Sequence, residues 1–193
     1  ILGDAQSLAS LVAAGKGGNI TIQAGGLINL ASVSANGGDA APTSGFSGAG
    51  GDGGSITIVS PGALTLHATL LTARGGDSGA VLEGNGPGGD GGSVFFSALS
   101  DSLFQHVNAG TPGSVTLNGV NIDVAGGSGS SNGAQGFADF QSGDGGITQT
   151  APLVLNTTDL RIETSGPVSL TNQSNVIPGI WGSVGGNLSV TSL

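Results

Sequence analysis

Apolar and polar residues alternate in short runs along most of the chain. Ile20 and Ile22 flank Thr21, Ile28 and Leu30 flank Asn29, and Ile56 and Ile58 flank Thr57. Leu64 and Leu66 flank Thr65, and Ile122 and Val124 flank Asp123. A period of two marks a strand with one face buried, so the intervening Thr, Asn and Asp residues are expected to face outward. The runs open on a glycine and a small or turn-forming residue: Gly18-Asn19, Gly54-Ser55, Gly92-Ser93, Gly113-Ser114, Gly166-Pro167 and Gly186-Asn187, with a degenerate copy at Gly146. Taken in order from Gly18 to Gly186, these glycines are 36, 38, 21, 33, 20 and 20 residues apart.

A recurrence near 20 residues predicts stacked units, each one coil of a parallel β-helix made of three short strands and three turns. The longer spacings read as the same unit carrying a glycine-rich insert. The inserts span 37–52, 75–90 and 126–144. All follow the third strand of their coil, so stacking places them on one side. Phe46, Phe137 and Phe140 fall in these inserts and are expected to anchor them. The N-terminus differs: Asp4 reads as an N-cap, Leu8, Leu11 and Val12 have helical spacing, and Gly15 reads as a stop. The expected architecture is one domain over residues 1–193, with 1–16 as a cap or assembly segment containing a short helix, and about six coils over 17–193. The last run, "NLSVTSL", begins a coil and supplies one strand, which leaves an open edge.

Composition changes this picture in two ways. Glycine makes up 40 of 193 residues, about three times its usual share. The G-X-Y period of collagen is absent, so the glycines serve turns and close backbone approach. Charged residues are 8 %, against about 25 % in an ordinary domain. Ser, Thr, Asn and Gly must coat the surface, or neighbouring subunits must cover it. The formal net charge is −9, and the three bases are Lys16, Arg74 and Arg161. That balance excludes nucleic acid and anionic membrane surfaces as partners. No run approaches the roughly 18 apolar residues of a membrane span. With no cysteine, neither disulfides nor thiolate metal sites can form.

Candidate chemistry is sparse. The stretch 85–90, "NGPGGD", partly matches the G-G-x-G-x-D calcium repeat, but Gly92 stands where an apolar residue is needed and the units are not tandem. Asp52, Asp90 and Asp144 are the calcium candidates, provided that stacking aligns them. Otherwise Asp and Gly are turn residues. Lys16 is followed by Gly17, which breaks a phosphate-binding loop. No carboxylate pair suited to glycoside hydrolysis can be assembled; the nearest polar cluster, Asp159 with Arg161, reads as a surface ion pair. His67 and His106 lie in or beside strands without a neighbouring acid. Thr21, Thr57 and Thr116 offer an ice-binding ladder only in single file. Trp181 is either core filler or an anchor in a subunit junction.

The phrases "GGNITIQAGGLINL" and "GGDGGSITIVSPGALTLHATLLTARGG" resemble the repeats of filamentous haemagglutinin-like secreted bacterial exoproteins and adhesins, over roughly residues 15–193. The resemblance implies a right-handed parallel β-helix, an extracellular or cell-surface location, and a structural or adhesive role. This chain is shorter than members of that class, so it is a piece of one or a subunit that gains length by assembly. The expectation is a non-enzymatic, cofactor-free subunit of an extracellular filament, a homo-oligomer joined end to end by strand addition. Ile1, Leu2, Leu8, Leu11, Trp181, Leu188, Val190 and Leu193 are the expected junction residues. Two alternatives remain: an adhesin fragment holding a glycan or host protein in its glycine-rich loops, and a polysaccharide-active enzyme.

Overall fold

The computed structural model describes residues 15–23, 26–41, 48–79, 86–99 and 113–193. Among the described residues the alternating runs form fourteen strands, numbered in chain order, in two sheets whose pairings are all parallel. One sheet runs β1 (Asn19–Gln23), β3 (Ser55–Val59), β5 (Ser93–Ala98), β8 (Phe137–Ser142), β11 (Leu160–Thr164), β13 (Ile180–Val184). The other contains β2 (Gly26–Ser34), β4 (Ala63–Thr72), β6 (Ser114–Leu117), β7 (Val120–Asp123), β9 (Gly146–Gln149), β10 (Leu153–Asn156), β12 (Val168–Leu170) and β14 (Leu188–Val190).

Register explains the alternation. In the first sheet Ile20, Ile56, Val94, Ala138, Leu160 and Ile180 stand in line. Two residues further on, Ile22, Ile58, Phe96, Phe140, Ile162 and Gly182 form a second line. In the second sheet Leu64, Val115, Ile147, Val168 and Leu188 align in the same way. These lines face each other across one apolar core. A slip of one residue would turn every one of them outward, so burial fixes the register. Phe96 and Phe140 stack at its centre with ring centroids 4.7 Å apart.

The regular right-handed β-helix of about six three-strand coils is not what forms. Among the described residues there are two sheets of unequal size, six-stranded and eight-stranded, with a sheet curled into a half-barrel. In its first part, β2 and β4 are single strands of 9 and 10 residues where two short strands were expected. The sheet forks only after β4, whose Ala63–Leu66 half pairs with β6 while Leu71 and Thr72 pair with β7. The cause is local. Between β6 and β7 lie Asn118 and Gly119, the latter at φ +67°, and they break the run. Between Leu66 and Leu71 the sequence is "HATL", which has no breaker, and the strand continues. The described residues contain no helix; the helix expected near Asp4 lies outside them.

The glycine recurrence had also merged two registers. Gly18, Gly54 and Gly92 precede strands of the first sheet, whereas Gly113, Gly166 and Gly186 precede strands of the second. The third insert ends before β8, earlier than the expected Asp144: Phe137 and Phe140 belong to that strand and are not loop anchors. Phe46 lies outside the described residues.

The described parts of the inserts pack as a backbone-bonded layer. Gly51 N–H donates to Gly38 O at 3.0 Å, Gly76 to Gly51 at 2.8 Å, and Gly89 to Gly76 at 3.0 Å. The series continues with Gly127 to Gly89 at 2.8 Å and Gly133 to Gly127 at 2.9 Å. Outgoing and returning limbs of successive inserts thus alternate along one ladder. The limbs approach too closely for side chains: a Cβ on Gly89 would overlap the carbonyl of Gly51. Glycine is needed there for space, by the same logic that reserves the crowded axis of collagen for it.

Candidate functional site

The aspartates of the "GGD" phrases come first, because they border the glycine layer. Asp52 Oδ1 accepts from Asp90 N–H at 3.1 Å, and Asp90 Oδ1 from Ala134 N–H at 2.8 Å. In a parallel column Asp39 Oδ1 accepts from Asp77 N–H at 2.8 Å. Asp77 Oδ1 in turn accepts from both the backbone N–H and the hydroxyl of Ser128, at 2.7 and 2.9 Å. Each carboxylate therefore ties its own insert to the next one along the stack. The Ser128 bonds, backbone first, hold the Asp77 carboxyl below the usual aspartate range.

Of the calcium candidates, Asp52 and Asp90 are neighbours, but Asp144 is elsewhere, accepting from Ser165 Oγ at 2.6 Å. The position that follows Asp90 in its column is Ala134. Among the described residues no three His, Cys, Asp or Glu side chains gather as a metal site would require.

Beside Asp52 and Asp90 runs an open groove of about 350 Å³ along the N-terminal ends of β1, β3, β5 and β8. Asn19, Ser55, Ser93 and Phe137 are in register on adjacent strands and form its floor. Ser55 Oγ donates to Asn19 Oδ1 at 2.9 Å. Lys16 lines the same groove, with its Nζ 3.9 Å from Asp52 Oδ2. Phe137 is 52 % exposed, although its strand neighbours Ala138 and Phe140 are fully buried.

Further along the outer face of the first sheet lies a second polar group. Asp139, Arg161 and Trp181 follow one another in register. Arg161 donates to Asp139 Oδ2 at 3.0 Å and to Glu163 Oε1 at 3.1 Å, and its guanidinium lies 5.4 Å from the Trp181 ring centroid. The expected Asp159–Arg161 pair does not form, because register outranks proximity in sequence: β8 brings Asp139 alongside Arg161. Asp139 is only 1 % exposed, and burial pushes its carboxyl above the usual aspartate range, partly offset by Arg161. Ser97 Oγ, Asp139 Oδ1, Gln141 Oε1 and Arg161 Nε are buried without a hydrogen-bond partner.

The other candidates are placed plainly. His67 Nδ1 bonds to Asn118 O at 2.5 Å, which makes it a strand residue tied to the turn at the fork. His106 lies outside the described residues. Thr21 and Thr57 are in register, but Phe95 follows them. Thr116 is on the other sheet, in line with Thr65, Thr148, Ser169 and Ser189. Trp181 is not core filler, being 56 % exposed on β13. Leu188, Val190 and Leu193 are exposed on and after β14. Ile1, Leu2, Leu8 and Leu11 lie outside the described residues.

Sequence reasoning missed both the groove and the Asp139 group. The available signal was the "GFADFQ" run beginning at Gly136, which repeats the alternation of "GSVFFS" beginning at Gly92. Aligning the two would have put Phe137 beyond Ser93 and Asp139 beyond Phe95.

Fold and site together define an all-parallel β protein with two sheets, a glycine-packed layer and a polar groove at their border. No protein-family model, no curated protein and no solved structure matches the chain.

Proposed function

We propose that the chain is a structural subunit of an extracellular filament, built by adding subunits head to tail through the edges of both sheets. The observation that carries this reading is the edge formed by β13 and β14. Each pairs on one side only, and Trp181, Leu188, Val190 and Leu193 are exposed there. At the opposite end β1 and β2 likewise pair on one side only among the described residues. Unpaired strands that present apolar side chains are templates for another chain.

The strands are parallel, so the two ends differ, and joining one to the other is a heterologous contact. A second copy placed with β1 on β13 continues the register, with Ile20 over Ile180 and Thr21 over Trp181. Both strands are five residues long. A heterologous contact that does not close gives an open filament. The sparse charge, 8 % of residues, favours close packing of copies.

Electron microscopy of the purified protein at neutral pH tests the reading. Six strands per subunit at roughly 4.8 Å each give an expected axial repeat of about 29 Å. Deleting residues 187–193 should abolish the filaments. A chain that stays monomeric at high concentration, or that assembles equally well without those residues, overturns it.

A further inference from the structure

We infer that the groove along β1, β3, β5 and β8 is a binding site for a neutral oligosaccharide. Three features converge on this ligand. The first is an aromatic platform. Phe137 is about half exposed on a strand whose other aromatic is fully buried, and it lines the groove. An exposed ring offers an apolar face for the C–H face of a sugar.

The second feature is a dense, mixed set of hydrogen-bonding groups. Ser55 and Ser93 bring hydroxyls, the Asn19 amide brings a nitrogen donor beside the oxygen that Ser55 already uses, and Asp52 and Asp90 bring carboxylates. A ligand that satisfies donors and acceptors at this density must itself carry both, as vicinal hydroxyls do. The carboxylates are held in advance, because backbone N–H groups of Asp90 and Ala134 grip one oxygen of each. Preorganised groups of this kind cost little to order on binding.

The third feature is shape and charge. From Asn19 to Phe137 the floor crosses three inter-strand steps, about 14 Å in all, which suits a short run of sugar rings. The volume of about 350 Å³ falls in the small-molecule range. Two carboxylates face one lysine in the groove, and the whole chain carries −9. Acidic sugars are repelled and neutral ones are not.

The groove reaches β1, one of the two strands that would join in the proposed filament, so the test is made on a chain kept from assembling. The Leu188→Lys variant, which carries a charge on β14, is titrated by calorimetry with hexasaccharides of glucose, xylose, mannose and galactose, and with polygalacturonate. At least one neutral hexasaccharide should bind. Phe137→Ala should weaken it by about tenfold or more, equivalent to roughly 1.4 kcal/mol. Trp181→Ala should leave affinity unchanged, and circular dichroism should show both variants folded. The inference is overturned if no neutral sugar binds up to about 10 mM, a binding energy of only about 3 kcal/mol. It is equally overturned if Phe137→Ala binds as tightly as the parent, or if polygalacturonate binds more tightly than every neutral sugar. Failure of filaments to form in the parent protein bears on the assembly reading alone.

Discussion

Gly89 and Gly62 separate two reasons for a glycine. Gly89 lies where a Cβ would overlap a backbone carbonyl of the neighbouring limb. Gly62 has φ +137° with nothing within 4 Å of where its Cβ would be. Gly89→Ala should cost about 3 kcal/mol or more, as overpacking does. Gly62→Ala should cost about 1–3 kcal/mol, the strain of holding a side chain at a φ that glycine alone adopts readily. Urea unfolding of both variants checks the order. Asp139 and Asp77 make a second residue-scale pair, of opposite sign. The Asp139 carboxyl is raised by burial, so between the ordinary and the raised value the folded chain holds a proton that the unfolded chain has lost. Its contribution to stability is complete below the ordinary aspartate range and is lost as pH rises through the raised value. Asp77 is lowered, so its contribution is present above the ordinary range and is lost as pH falls through the lowered value. On acidification from about pH 7 to about pH 3, the unfolding free energy of the parent should rise relative to Asp139→Asn. Relative to Asp77→Asn it should fall. Denaturation at a series of pH values reads both.

At the scale of elements, β8 shows what a strand's two faces do. Phe140 points into the core and stacks on Phe96, whereas Phe137 stands on the outer face. Phe140→Ala should destabilise by about 3–5 kcal/mol, the usual cost of removing a buried aromatic. Phe137→Ala should stay within about 0.5 kcal/mol of the parent. Period-two alternation in the sequence is enough to place Ile20, Ile56, Leu64 and Ile122 on buried faces, because inward and outward positions are a local property of a strand. Pairing was not legible in the same way. The Gly-x-strand phrase precedes β3 and β6 alike, although they belong to different sheets, and nothing local tells them apart. β8 was hidden because its run follows "GAQG" inside a glycine-rich stretch and was absorbed into an insert. The groove depends on that strand, since Phe137 enters it only through register with Ser93. Sites built from side chains 44 residues apart, as Ser93 and Phe137 are, appear only once pairing is known.

At the scale of the whole molecule, charge and edge work against each other. In the proposed filament each subunit would carry −9, so its end-to-end contact would bring like-charged bodies together. The contact itself lacks that charge: Ile180, Trp181, Leu188 and Val190 on the two edge strands are all uncharged. Backbone pairing and burial of these side chains favour addition at any ionic strength, while the repulsion between subunits is long-ranged and screened by salt. The screening length shrinks from about 30 Å at 0.01 M to about 3 Å at 1 M. Between those limits repulsion across a step of about 29 Å, six strands at roughly 4.8 Å, falls away while the short-range contact persists. Raising NaCl from about 0.01 M to about 1 M should therefore lower the concentration at which filaments first appear, as followed by light scattering. Val190→Lys places a charge within the junction itself and should raise that concentration at both salt levels. A filament held by ion pairs between its ends would respond in the opposite direction, dissolving as salt rises, and that outcome would assign the junction to charged residues instead of to the uncharged edges of β13 and β14.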